Sequence, residues 1–145
     1  METSKDFFSE QDKETIIASI RDAEKETSGE IRLHVENRCP RDPVHRAKEL
    51  FQKLDMHKTE KRNGVLVYIS VEDHNVAIWG DEGINFHVGQ AFWDDEVQVI
   101  TNHFKNGKYA EGVSKAILQV GENLKKYFPY HNEDKNELTD DISVN

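Results

Sequence analysis

Apolar residues first recur at helical spacing at Ile16, Ile17, Ile20 and Ala23. Ser9-Glu10-Gln11-Asp12 precedes them, a serine cap answered three residues later by an acid, with Phe8 placed as a hydrophobic staple. Ser28-Gly29 supplies the stop, so the pattern predicts a first helix. Ile31, Leu33 and Val35 then alternate with Arg32, His34 and Glu36, the period of a half-exposed strand, with His34 facing out. Asp42 and Pro43 open a second helix with an apolar face of Val44, Ala47, Phe51 and Leu54, fading between Met56 and Thr59. Val65-Leu-Val-Tyr-Ile-Ser-Val71 is nearly all β-branched or aliphatic and reads as a central strand covered on both faces. Glu72 to Asn75 form a turn, and Val76 to Trp79 pair back as a hairpin.

The remainder is helical in pattern. Trp93, Val97, Ile100 and Phe104 make one stripe, ended by Asn106-Gly107, in a helix opened by Asp94 and Asp95. Tyr109, Val113, Ala116, Ile117, Val120, Leu124 and Phe128 make a longer stripe, ended by Pro129. From Tyr130 the chain is polar, acidic and aperiodic, which predicts a disordered tail over 130–145 after a single domain over 1–129. A strand-helix-strand order favours a parallel pair with helices packed on the sheet. The expectation is an α/β domain whose mixed sheet holds a parallel β-α-β crossover and a β-hairpin, followed by C-terminal helices.

Charge narrows the choice of partner. The 145 residues carry a net charge of -9, with 32% charged and 36% hydrophobic residues. Such a surface repels nucleic-acid phosphates and anionic membranes. It suits metal ions, basic partners or plain solubility. Cys39 is the only cysteine, so no intramolecular disulfide forms. No run of about 18 apolar residues exists, which excludes a membrane-spanning helix. The polar N-terminus lacks a signal-peptide core, placing the chain in the cytoplasm if complete, or outside it if a leader has been removed.

Five segments together resemble one known family. They are Thr27-Ser-Gly-Glu-Ile-Arg-Leu33, Arg62-Asn-Gly-Val-Leu-Val67, Ile78-Trp-Gly-Asp-Glu-Gly-Ile84, the Phe92 and Trp93 pair, and Gly107-Lys-Tyr-Ala-Glu-Gly112. In this order they resemble the TPM domain, also called the TPM phosphatase domain, from about Phe7 to Pro129. The resemblance implies a three-layer α/β/α fold, affinity for Ca²⁺ or related ions, phosphatase activity, and regulatory or assembly and repair roles. The expected type is a stand-alone, soluble bacterial one.

The strand order itself gathers acidic residues. Glu30 begins the first strand and Asn63 lies just before the second, so parallel pairing puts both at one end. The third strand runs back, so Asp81 and Glu82 leave it there too, and loops lead on to Asp94 and Asp95. Crowded carboxylates are relieved by protons or a cation. Gly80 and Gly83 would let the backbone approach an ion and offer carbonyls. The candidate metal ligands are therefore Glu30, Asn63, Asp81, Glu82, Asp94 and Asp95. These are hard oxygen donors suited to Ca²⁺, alternatively Mg²⁺, whereas zinc spacings and an EF-hand loop are missing.

A phosphatase could use such an ion to clamp phosphate oxygens and activate water, with Glu30 or Asp81 as general base. Nucleophile motifs are missing: His45, not arginine, stands six positions after Cys39, and no serine elbow or phosphate-binding glycine loop is present. Three readings follow: a cation-binding domain that shapes a surface for a protein partner, a metal-assisted acid phosphatase, and a metal-free module docking a basic partner.

Overall fold

The computed structural model describes residues 6–129 and 142–144. Its elements run α1 (Glu10–Glu24), β1 (Glu30–Glu36), α2 (Pro43–Lys53), β2 (Gly64–Ser70), β3 (Asn75–Gly80), α3 (Glu82–Lys105), α4 (Tyr109–Tyr127) and β4 (Ser143–Val144). The sheet order is β3-β2-β1-β4. β1 and β2 are parallel, and β3 returns antiparallel to β2, as a crossover followed by a hairpin requires.

The capping chemistry reads out directly. Ser9 Oγ accepts from the Asp12 backbone N–H at 3.0 Å to start α1. The Asp42 carboxylate accepts from the His45 N–H at 3.1 Å, with Pro43 in the first turn of α2. Each side chain satisfies a donor that the helix leaves open.

Two apolar clusters make three layers. On one face, Ile31, Leu33, Val35, Val65, Val67, Ile69 and Ile78 pack beneath α1, α3 and α4. On the other, Leu66, Tyr68 and Ala77 meet Ala47, Leu50 and Phe51 of α2 and Met56 of the following 3₁₀ turn. Every residue of β2 is buried, the condition of a central strand with helices on both sides.

β1 departs from its predicted half-exposure: six of its seven residues are buried. Its polar face lies under α2 and is matched by polar partners. Arg46 Nε donates to Glu36 Oε2 at 3.0 Å, its Nη2 binds Oε1, and the buried Tyr68 hydroxyl also donates to Glu36. His34 is 2% exposed rather than facing solvent. Its ring stacks near Tyr68, and Nδ1 lies 3.0 Å from Ser143 Oγ on β4. Most of the expected tail, 130–141, and residue 145 lie outside the described residues. Ser143 and Val144 within it pair in parallel with His34 and Val35, a backbone pairing that side-chain composition does not announce.

The long helical stretch also differs from expectation. Asp94 and Asp95 do not open its helix. α3 begins at Glu82, with Asp81 as its cap, and bends at Gly89, whose φ of 76° suits glycine. On the face toward α4 it buries Glu96, which is 6% exposed and faces Gln119, whose amide donates to Oε2 at 3.0 Å when its nitrogen is turned inward. Burial, with Asp95 adding and Lys115 opposing, pushes Glu96 up to about 7. Burial also pushes His34 down to about 4.

These two groups act on stability with opposite signs. Folded Glu96 keeps a proton that the unfolded chain releases above 4.5, so its contribution is lost as pH rises toward about 7. Neutral His34 must instead be charged as pH falls from 6.5 toward about 4, which weakens the fold on the acid side. Glu96→Gln should therefore stabilise the protein at pH 8 by about 1–2 kcal/mol and change little at pH 4.5. Urea unfolding at both values checks this; an equal effect at both removes Glu96 as the titrating group.

Candidate functional site

The pairing register brings three predicted residues to one end of the sheet. Glu30 is level with Gly64, and Gly80 with Val65, so Glu30, Asn63 and Asp81 all stand at the same rim. Strand spacing puts the ends of β1 and β3 about 10 Å apart.

Their side chains then diverge. Asn63 is 1% exposed and its Nδ2 donates to Ser28 Oγ at 3.1 Å, tying the start of β2 to the α1–β1 turn. Glu30 is buried. Asp81 caps α3, Oδ1 accepting from the Glu82 N–H at 2.8 Å. It also receives both arms of Arg62, Nε on Oδ2 at 2.7 Å and Nη2 on Oδ1 at 2.9 Å. Arg62 Nη1 reaches the exposed Glu82 at 3.1 Å. The fork matches a carboxylate in geometry as well as charge, and the hydrogen bond to Asp81 raises the basicity of Arg62.

Asp81, Glu82 and Asp94 line one groove; Glu30, Asn63 and Asp95 do not. The groove holds about 510 Å³ and follows β3, the edge strand. Val44, Lys48 and Phe51 of α2 form one wall, and Gln90, Trp93, Asp94 and Val97 of α3 form the other. Gly80 makes the second wall possible: a Cβ there would lie 2.2 Å from the Trp93 ring. Trp93 Nε1 donates to Asn85 Oδ1 at 2.8 Å, and Gln90 Nε2 donates to Asp94 Oδ1 at 3.0 Å. Lys48 Nζ stands 5.5 Å from the centre of the Trp79 ring.

Arg62 is the site residue that the sequence reading did not select. Its position one residue before Asn63-Gly64 put it at the acidic rim, and that placement was the available signal. The described residues contain no group of three or more His, Cys, Asp or Glu arranged to hold a metal ion. Nor do they contain a helix long and apolar enough to cross a membrane.

Fold and sequence now agree on a class of protein. The TPM domain profile matches residues 2–123, and the chain belongs to the TPM domain family. It is similar to the BA42 protein of the psychrophilic bacterium Bizionia argentinensis, with 41% identity, a TM-score of 0.89 and 100% of both chains covered. It shares its fold with the N-terminal domain of a P. gingivalis protein, at 19% identity and a TM-score of 0.71, covering 87% of this chain and 83% of that one. The N-terminal domain of the cg2496 protein of Corynebacterium glutamicum follows at 16% identity and 0.65, covering 81% and 74%. No curated protein matches the chain.

The double role of Asp81 separates two of its replacements. Asp81→Asn keeps an oxygen that can cap α3 but loses the charge beside Arg62; Asp81→Ala loses both. Alanine should cost about 2–3 kcal/mol and asparagine about 1 kcal/mol in unfolding free energy. Equal costs would show that only one of the two interactions contributes.

Proposed function

We propose that this TPM domain binds a divalent cation, Ca²⁺ or alternatively Mg²⁺, at the end of the groove lined by Asp81, Glu82 and Asp94, in a regulatory or assembly role. The observation that supports this reading is the Arg62–Asp81 fork. A buried carboxylate at the groove end already requires a positive partner, and the Arg62 side chain that provides it is 42% exposed and has solvent to move into. The donor chemistry fits a hard ion: carboxylates, together with the Gly80 carbonyl, which alternation along β3 turns away from β2. An ion bound there would draw these oxygens together and order the start of α3.

Arg62 and the ion then compete for one carboxylate. Wild-type protein titrated with Ca²⁺ and with Mg²⁺ should show amide shifts at Asp81, Glu82 and Asp94 in ¹⁵N spectra. Arg62→Gln, which frees the carboxylate, should tighten binding about three- to tenfold. Spectra that stay flat in both proteins would falsify the cation reading.

A further inference from the structure

We propose that the open edge of β3 takes an extended, basic peptide from another protein as an additional strand of the sheet. The inference starts from the backbone. The Asp81 N–H bonds to the Gly64 carbonyl, so Asp81, Trp79, Ala77 and Asn75 turn their polar groups toward β2. Antiparallel alternation then turns those of Val76, Ile78 and Gly80 away from the sheet. Among the described residues they find no backbone partner on that side. The three residues also line the groove between α2 and α3, so their donors and acceptors face a cavity of about 510 Å³. An unpaired edge of this kind is a template for strand addition.

The two walls specify alternate side chains on the incoming strand. On the α2 side stand Trp79 and Val44, the latter 50% exposed, with Lys48 already over the Trp79 ring. That side suits an apolar residue and disfavours a second cation. On the α3 side stands Asp94, and the groove ends at Glu82. Arg62 is engaged by Asp81 and Glu82, so it offers little to an acidic guest. An apolar residue toward α2 and a lysine or arginine toward α3 is the period-two pattern of a strand.

Charge also selects against this chain's own acidic C-terminal stretch, which contains Glu133, Asp134, Glu137, Asp140 and Asp141. The strand that closes that stretch, β4, pairs at the opposite edge, on β1. The sheet thus accepts an added strand of two residues at one edge, while among the described residues the edge between α2 and α3 stays open.

The test uses the full chain in the presence of EDTA, which keeps it independent of the cation reading. The probe is a short capped peptide alternating lysine and valine. It should slow hydrogen exchange at the Val76, Ile78 and Gly80 amides. N-methylation of alternate peptide nitrogens should abolish the effect, and exchanging lysine for glutamate should weaken binding. Asp94→Lys, at an exposed position, should weaken binding by about two- to fivefold with the fold unchanged. The proposal is overturned if those amides stay unprotected, if N-methylation has no effect, or if the glutamate peptide binds as well.

Discussion

β2 is buried along its whole length, and its two faces belong to different clusters: Val65, Val67 and Ile69 to one, Leu66 and Tyr68 to the other. A slip of one residue against β1 or β3 would exchange those faces and put the Tyr68 hydroxyl under α1 and α4, away from Glu36 and Arg46. The register of β2 is therefore pinned by apolar and polar demands together. Once it is pinned, Glu30, Asn63 and Asp81 must share a rim, because Glu30 pairs with Gly64, which follows Asn63, and Val65 pairs with Gly80, which precedes Asp81. The geometry of the groove follows from the same constraint, since β3 can then present only Val76, Ile78 and Gly80 outward.

Within that frame an acidic chain has to place its carboxylates, and it holds two of the buried ones with arginines. Glu36 is held by Arg46 and Tyr68 beneath α2, and Asp81 by Arg62 at the sheet's end. Both pairings are bidentate, the geometry in which guanidinium contributes most. At the rim, the charge of Asp81 is thus met within the chain, by Arg62. That changes what a cation would do there. It would exchange with Arg62 rather than fill a gap, so any binding is coupled to movement of that side chain.

The sheet core, the crossover, the hairpin and the helix caps were legible because each rests on local chemistry: Ser9, Asp42 and Pro43 act within a turn, and the Val65 to Val71 run reflects burial on both faces. The TPM family was legible too, from five short segments. Less legible was whatever depends on a partner distant in sequence. Arg46 and Tyr68 bury the polar face of β1, and nothing in the alternation of Arg32, His34 and Glu36 distinguishes a solvated face from one under a helix. Glu96 looks like any acid in a helix until α4 covers it. At the rim, the shared end of Glu30, Asn63 and Asp81 followed from topology, but the direction of each side chain did not. Asn63 turns to Ser28 and Asp81 to Arg62, leaving only Asp81, Glu82 and Asp94 in the groove.

The two edges of the sheet show different solutions to one problem. At β1, the backbone groups beside His34 and Val35 are met by Ser143 and Val144, and Ser143 Oγ also accepts from Arg32 Nε at 3.0 Å. That edge is protected by pairing. At β3, helices rise on each side of the edge, with Val44, Lys48 and Phe51 on one wall and Gln90, Trp93 and Val97 on the other. Helical walls of this kind suppress indiscriminate edge-to-edge association, yet they add side-chain selectivity to whatever single strand can enter. The edge at β1 is met by the chain itself, whereas the one at β3 is walled by helices and, among the described residues, unpaired.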